Sequence, residues 1–385
     1  MKNTDLPLHS KQRVKVEGIG TLGEGLARID GAEIFIPKVA PQDELEIEII
    51  ENKKNRFRAK TLQILKSSPL RVPAACKHFE ICGGCDFQHL PYQEQIDWKL
   101  RMTKHWIRRS SLAPLLDKIP FDQIESPEEY GYRHRARLQV KNGRVHFFKP
   151  HSHEIFEIEE CPIFQNGFLK ALQEKALTLA DQKDWNQSFS NGKLIEGEAF
   201  YELDDCKIFY NEKCFTQTNF DVNEQIWFRI LEDIENLEQK KTALDLYCGI
   251  GNFSLPLSNY FEKVTGIEAE GESIAFARKN SEAQKKNIRW ISGLCEEKLL
   301  ELESKYEFFD FVLLDPPRTG ALKSVQVLSR LMPTKIVYVS CHLESLIHDL
   351  IFLNKKGGYQ IKRWTVADMF PQTHHIESIV TLSRT

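Results

Sequence analysis

The strongest constraint on the fold is a series of short apolar segments that alternate with helix-length stretches in the second half of the chain. The apolar segments span residues 243–247, 263–268, 288–291, 309–314 and 336–339. Around them, the patterns at 222–237, 273–285 and 343–353 indicate helices. Strands joined by helices lie parallel in one sheet, because a parallel pair needs a long crossover connection. We therefore predict a Rossmann-like, doubly wound α/β domain over residues 216–385.

The first part of the chain has the pattern of a small β-barrel. Residues 13–65 contain strand-like segments broken by glycines, and residues 44–49 alternate apolar with acidic side chains, as a half-buried strand does. This predicts an oligonucleotide-binding (OB-like) barrel over residues 1–68, although a barrel without a ligand has the same pattern. Residues 69–215 are predicted to form a β-rich central domain, whose helix at 91–109 we expect to pack on the α/β domain.

Charge and composition limit the classes of partner. The chain has 52 Lys and Arg against 55 Asp and Glu, so nucleic-acid binding would have to come from local patches. Two are present, at 53–60 and at 132–137, where Arg133, Arg135 and Arg137 would share one face of a strand; a solvated surface is the alternative for each. No apolar run of membrane-spanning length and no signal-like amino terminus is found, which predicts a cytoplasmic protein with reduced cysteines.

A glycine turn follows the first strand of the predicted sheet. Gly249-Ile250-Gly251 lacks the third glycine of a dinucleotide-binding fingerprint. Glu268 ends the second strand, where a carboxylate accepts hydrogen bonds from ribose hydroxyls. Together with Asp315-Pro316-Pro317 at the end of the fourth strand, this favours S-adenosylmethionine over NAD; a glycine turn in an unrelated α/β protein is the alternative.

Cys341 leaves the end of strand 336–339 immediately before a predicted helix. We expect it to be a nucleophile with a pKa lowered by the positive end of that helix. A thiolate can add to carbon 6 of a pyrimidine and so activate carbon 5 for methylation, after which a base must remove the carbon 5 proton. Glu377 is the candidate base, and His374 and His375 compete for that role. The alternatives are a buried packing cysteine and amine methylation through residues 315–317.

Three motifs carry a family resemblance. Tyr338-Val339-Ser340-Cys341, the segment from Asp368-Met369-Phe370-Pro371 to Glu377, and Phe215-Thr216-Gln217-Thr218-Asn219 resemble motifs of the RNA uracil-5-methyltransferases, specifically the iron-sulfur branch that modifies 23S ribosomal RNA. The chain departs from that family at His342-Leu343, where asparagine and proline are usual.

The resemblance implies a nucleophile, a base, a methyl donor and a set of donor-binding residues. Cys341 would be the nucleophile and Glu377 the base, and the barrel would be a TRAM domain that binds RNA. S-adenosylmethionine would be bound by Gln217, Tyr247, Asn252, Glu268 and Asp315. We expect a monomer that acts on 23S ribosomal RNA, with transfer RNA as the alternative target and a non-catalytic RNA-binding protein as the alternative class.

The remaining cysteines divide into a ligand set and packing residues. Cys76, Cys82 and Cys85, with the distant Cys161, could bind zinc or an iron-sulfur cluster. Only one C-x2-C pair is present, whereas zinc sites usually show two, which favours a 4Fe-4S cluster; the resemblance implies the same. Cys206, Cys214 and Cys295 lack partner spacing and are assigned to packing, and Cys248, which sits in the glycine turn, is also assigned a structural role.

Overall fold

The computed structural model describes residues 6–53, 56–150 and 152–384. Lys54 and Asn55 of the first predicted basic patch lie outside that range. In the described part of the chain, every helix is too short or too polar to cross a lipid bilayer.

The amino-terminal unit is a six-stranded sheet whose strands lie between Lys11 and Lys66. Its strand order is β1-β5-β6-β4-β3-β2. Alternate residues of β4 and of the first half of β5 are buried, including Ile34, Leu45 and Ile47, so the predicted half-buried strand is confirmed. The strands are β1 Lys11–Lys15, β2 Gly18–Ile19, β3 Gly25–Ile29, β4 Ala32–Ile36, β5 Glu44–Lys53 and β6 Arg56–Lys66.

The middle of the chain contains a second sheet, which is antiparallel throughout, and a separate hairpin. The sheet has the order β10-β9-β8-β11-β12, and β13 pairs with β14. A 3₁₀ helix, Ala113–Lys118, follows the first helix. The other elements are α1 Tyr92–Arg108, β7 Phe121–Ile124, β8 Arg135–Lys141, β9 Arg144–Phe148, β10 Ile155–Glu157, α2 Phe168–Ala176, β11 Gln182–Ser190, β12 Lys193–Leu194, β13 Ala199–Leu203 and β14 Cys206–Tyr210.

The carboxyl-terminal unit is an eight-stranded mixed sheet with the order β17-β16-β15-β18-β19-β21-β20-β7. The first five strands of this order are parallel, and β21 is antiparallel to both its neighbours. The predicted α/β fold is therefore confirmed. The elements are α3 Phe220–Glu235, β15 Thr242–Leu246, α4 Ser254–Leu257, β16 Lys263–Glu268, α5 Gly271–Ala283, β17 Ile288–Ser292, α6 Cys295–Ser304, β18 Phe311–Leu314, α7 Leu322–Leu331, β19 Lys335–Ser340, α8 Leu343–Lys355, β20 Tyr359–Ala367 and β21 Glu377–Arg384.

Burial explains why the central strands read as continuous apolar runs. All four residues of β18 and the last five of β19 are buried, because helices cover both faces of this part of the sheet. Because β16, β15, β18 and β19 are parallel, their carboxyl ends meet at one edge of the sheet, where polar side chains can enter from the loops.

Two segments from the middle of the chain belong spatially to this sheet. Strand β7 pairs in parallel with β20, from Trp364 opposite Phe121 to Ala367 opposite Ile124. Helix α1 packs on α8 and β20, and its buried Trp98 and Met102 are part of the core that also contains Trp364. The middle of the chain therefore supports the sheet directly.

Candidate active site

The cross-strand register places Cys341 and Glu377 at the same point of the sheet edge. Ser340, the last residue of β19, pairs with Ser378 of β21. Extending that antiparallel register by one residue sets Cys341 opposite Glu377, at a Cα separation of about 4.5–5.5 Å in ordinary sheets. Cys341 is half-buried and Glu377 is buried.

Asp315 and Arg318 complete this group from the loop after β18. The negative charges of Glu377 and Asp315 act on the thiol of Cys341, and the Arg318 guanidinium opposes their effect. Burial, with these charges, raises the pKa of Cys341 to about 11. The predicted lowering was wrong, because burial and two carboxylates outweigh Arg318 and the helix end. Arg318 was not singled out from the sequence, although it follows directly on Asp315-Pro316-Pro317.

The two carboxyl groups of the site also have raised pKa values. Burial raises the pKa of Asp315 to about 7. Burial and the charge of Asp315 raise the pKa of Glu377 well above the ordinary carboxyl value, while Arg318 opposes that shift. A carboxylate with a raised pKa is a stronger base than an exposed one, so Glu377 has the chemistry of a proton acceptor.

The neighbouring histidines are in different environments. His374 hydrogen bonds through Nδ1 to Asp86, at 2.7 Å. Burial lowers the pKa of His375 to about 3, and the positive charges of His374 and Arg318 add to the effect. Such a weakly basic imidazole is a poorer proton acceptor than Glu377.

His342, where the sequence departs from the family pattern, caps helix α8. Its side chain accepts a hydrogen bond from the backbone N–H of Ser345, and Nδ1 lies 3.0 Å from the Ser345 hydroxyl. Asparagine commonly does the same at this position of a helix. The substitution therefore keeps the cap beside Cys341.

A cavity surrounds the glycine turn, next to Asp315 of the group around Cys341. We call it the donor cavity. Gln217 donates to Asp315 Oδ2 at 3.1 Å, which joins the two sites. Asn252 accepts from the Tyr201 hydroxyl at 2.6 Å and exchanges two 3.0 Å hydrogen bonds with the Asn223 amide. Four of the five predicted donor-binding residues line this cavity: Gln217, Tyr247, Asn252 and Asp315.

Glu268, the fifth, does not line the cavity but hydrogen bonds to the glycine turn. Its Oε2 accepts from the backbone N–H of Gly249 at 2.9 Å, and its Oε1 accepts from Ala269 and Glu270. The turn itself needs glycine at position 251, where φ is +88° and a Cβ would lie 2.7 Å from Leu255.

Asp245 is a cavity residue that the sequence analysis missed. It is buried in β15 and accepts a 2.5 Å hydrogen bond from the Ser254 hydroxyl. Burial, with the charges of Asp315 and Glu268, raises its pKa to about 8. A carboxylate in the middle of the apolar segment 243–247 was the signal that could have identified it.

The four cysteines with ligand-like spacing line a separate cavity of about 800 Å³, which we call the cysteine cavity. Cys82 Sγ accepts from the backbone N–H of Gly84 at 3.3 Å. Burial raises the pKa of Cys76, of Cys82 and of Cys161, and that of Cys85 to about 12. In residues 6–53, 56–150 and 152–384, however, no group of three or more His, Cys, Asp or Glu side chains is arranged to hold a metal ion.

The barrel contacts this cysteine segment through Lys38. Its Nζ donates to the carbonyl oxygen of Cys82 at 2.8 Å and also to that of Phe79. The cysteines assigned to packing are all buried, which confirms that assignment for Cys206, Cys214, Cys248 and Cys295.

The predicted arginine face is only partly formed. Strand β8 begins at Arg135, so Arg133 precedes it; Arg133 and Arg137 line the cysteine cavity. Arg135 instead donates to the carbonyl oxygens of Glu212 and Cys214. Arg135 thus holds the loop before Gln217, and Arg137 pairs with Asp184, so two of the three guanidiniums already have partners within the protein.

Comparison with known proteins gives consistent matches along the chain. A family model described as tRNA (Uracil-5-)-methyltransferase matches residues 198–385, and the TRAM domain model matches residues 9–62. The chain is 32% identical to the 23S rRNA (uracil(1939)-C(5))-methyltransferase RlmD of Shewanella sediminis, over 98% of this chain and 97% of the relative. It is 31% identical to the protein of the same name from Histophilus somni, over 96% and 95%.

A solved structure has the same fold over nearly the whole length. The tRNA (uracil-54, C5)-methyltransferase of Pyrococcus abyssi, in complex with S-adenosyl-L-homocysteine, superposes with a TM-score of 0.75 at 25% identity. The match covers 96% of this chain and 99% of that one. The similarity therefore extends over the barrel, the middle of the chain and the α/β domain.

Proposed function

The chain belongs to the S-adenosylmethionine-dependent RNA uracil-5-methyltransferase family, and we propose on that basis that it methylates carbon 5 of a uridine in 23S ribosomal RNA. The observation that supports this chemistry most directly is the register that sets Cys341 opposite Glu377 beside Asp315 and Arg318. The ribosomal target is supported by the names of relatives that match the chain from end to end.

In the proposed reaction the Cys341 thiolate adds to carbon 6 of the uracil ring. This C–S bond converts the ring into an enolate that is nucleophilic at carbon 5. S-adenosylmethionine supplies the methyl group, which carbon 5 accepts as S-adenosylhomocysteine is released. Arg318 lies close enough to Cys341 to favour the thiolate, and a base flipped out of the RNA would reach it.

Glu377 then removes the proton from carbon 5, and the C6–S bond breaks to return the Cys341 thiolate. The raised pKa of Glu377 suits this step, because a stronger base removes the proton more readily. Gln217 and Asp315, hydrogen bonded to each other at 3.1 Å, stand between the donor cavity and the thiol. They are proposed to hold the methyl donor next to the target base.

We propose that the remaining donor contacts come from Tyr247, Asn252 and Glu268. Glu268 is the candidate acceptor for ribose hydroxyls, and Asn252 is held in one orientation by Asn223 and Tyr201. We also propose that the chain has three domains, at residues 1–68, 69–215 and 216–385. Strand β7 of the second domain pairs with β20 in the sheet of the third.

We propose that Cys76, Cys82, Cys85 and Cys161 hold a 4Fe-4S cluster. The donor chemistry fits, since four thiols share one cavity and a backbone N–H donates to Cys82. One zinc ion would need all four sulfurs at about 2.3 Å from a single point, whereas a cluster binds each thiolate through a different iron. Iron and sulfide analysis of anaerobically purified protein, with Cys161→Ser as control, tests this assignment.

Nucleoside mass spectrometry tests the function. The protein and S-adenosylmethionine are incubated separately with a 23S ribosomal RNA fragment and with transfer RNA, and the digests are analysed. We expect 5-methyluridine from the ribosomal fragment, lost in Cys341→Ala. Methylated adenine or cytosine amines that persist in Cys341→Ala would overturn the proposal in favour of chemistry through Asp315-Pro316-Pro317.

Transfer RNA is the second candidate target, because the solved structure with the same fold is named as a transfer RNA enzyme. In that case the same experiment gives 5-methyluridine in transfer RNA and none in the ribosomal fragment. Cys341→Ala again removes the product, so the result changes the substrate and leaves the chemistry intact.

A further inference from the structure

The segment that leads to Glu377, residues 368–377, is held by residues from the middle of the chain. We call it the base segment. It connects β20 to β21 and includes the buried Met369 and Gln372. The residues that hydrogen bond to it from outside the α/β unit are Asp86, Phe87, Gln95, Lys99 and Tyr132.

Gln372 is the centre of these contacts. Its φ of +70° is uncommon for a residue other than glycine and needs support from its surroundings. Its carbonyl oxygen accepts from the backbone N–H groups of Asp86 and Phe87, at 2.8 and 3.0 Å. Its backbone N–H and side-chain amide each bond to the Gln95 amide at 3.0 Å. The conformation of the base segment is therefore imposed by residues 86–95.

Asp86 makes a second connection, closer to the base itself. Asp86 Oδ2 accepts from the backbone N–H of His374 at 3.0 Å and lies 2.7 Å from His374 Nδ1. Asp86 follows Cys85 directly, and His374 precedes Glu377 by three residues. A side chain adjacent to the cysteine ligand set thus fixes the approach of the chain to Glu377.

We propose that Asp86 is a positioning residue for the proton-removal step. This inference rests on the proposed function. Glu377 begins β21 at the strand end, so its side chain depends on the preceding residues, which Asp86 holds. Cys341 is carried by β19 and α8, which have no hydrogen bond to Asp86 among the described residues. Loss of Asp86 should therefore spare formation of the C6–S bond and slow its cleavage, which releases the methylated RNA from Cys341.

The test separates these two steps. Wild type, Asp86→Ala, Asp86→Asn and His374→Ala are mixed with uridine-containing substrate RNA and S-adenosylmethionine. SDS-resistant protein–RNA adduct and 5-methyluridine in the RNA that is not attached to protein are measured over time. Glu80→Ala is the matched control, because Glu80 is an exposed acid close to Asp86 in sequence, between Cys76 and Cys82. Iron content is measured in every preparation, so that loss of metal is scored separately.

We expect Asp86→Ala to lower the rate of product release by about 10- to 100-fold, the range that small misplacements of catalytic groups produce, and to accumulate adduct. Asp86→Asn keeps an oxygen that can accept from His374 and should recover most of the rate. His374→Ala keeps the backbone N–H and should be milder than Asp86→Ala. Glu80→Ala should match wild type.

An adduct-to-product ratio equal to wild type in all three variants overturns the inference. This includes the case in which adduct and product both fall by the same factor, because a purely structural role would lower both. If Asp86→Ala does not fold, Asp86→Asn and His374→Ala decide by the same ratio. Failure of the proposed function gives a different result: wild type then forms no adduct on 5-fluorouridine RNA.

Discussion

Replacing Lys99 by methionine should be among the most damaging single substitutions outside the reacting groups. The Lys99 and Asp368 side chains are both 0% exposed and lie 2.5 Å apart, and Lys99 also donates to the Phe370 carbonyl oxygen at 3.2 Å. Methionine fills a similar volume but leaves the Asp368 charge buried without its partner. Removing one member of a buried ion pair costs about 3–5 kcal/mol, so we expect a loss of that size in the free energy of unfolding.

Urea denaturation followed by tryptophan fluorescence measures this loss. Arg101→Met is the matched control on the same helix, because its side chain is 60% exposed and its contact with Glu94 is 3.7 Å long; such pairs are worth about 0–1 kcal/mol. Lys99→Met combined with Asp368→Asn removes both charges and should recover part of the stability. A Lys99→Met cost no larger than that of Arg101→Met would refute the reasoning.

Two further predictions concern the close approach of Gly23, in the barrel, to His374, and the thiol of Cys341. Gly23→Ala places a Cβ 2.7 Å from His374 at φ +78°, whereas Gly31→Ala, the control, meets open space at φ +85°. Measured by urea denaturation, Gly23→Ala should lower the free energy of unfolding by about 1–3 kcal/mol more than Gly31→Ala, which is the cost of overpacking. Equal losses would contradict the close approach of Gly23 to His374. With the pKa of Cys341 raised to about 11, the thiolate fraction rises about tenfold per pH unit below that value. Adduct formation on 5-fluorouridine RNA should therefore accelerate from pH 6 to 9 and be slower at each pH in Arg318→Gln; a flat profile would contradict this.

The α/β sheet was predictable because its central strands are buried on both faces and leave continuous apolar runs, as in residues 311–314. The carboxyl-end rule then located Asp315 and Cys341 at one edge. The register between Ser340 and Ser378 was not predictable, since antiparallel pairing of β19 with β21 depends on contacts distant in sequence. It is this register that brings Glu377 opposite Cys341.

Features that depend on tertiary packing were missed. Strand β7 is short and pairs with residues of β20 that lie 243 positions later in the sequence, as Phe121 does with Trp364, so no local pattern assigns it there. Lys99 is fully buried because Asp368 compensates its charge, and the pattern of the helix does not show a partner that lies 269 residues later in the sequence. The direction of the Cys341 pKa shift failed for the same reason: the sequence shows the following helix but not the depth of burial.

Mapping the covalent adduct tests the central claim most directly. The protein is incubated with S-adenosylmethionine and substrate RNA that carries 5-fluorouridine. Because fluorine replaces the carbon 5 proton and a base cannot remove it, the covalent adduct persists. The digested product is analysed by tandem mass spectrometry. We predict a methylated fluorouridine attached to the peptide that contains Cys341, and no adduct in Cys341→Ala. An active enzyme without that adduct, or with the nucleotide on another residue, would contradict the account.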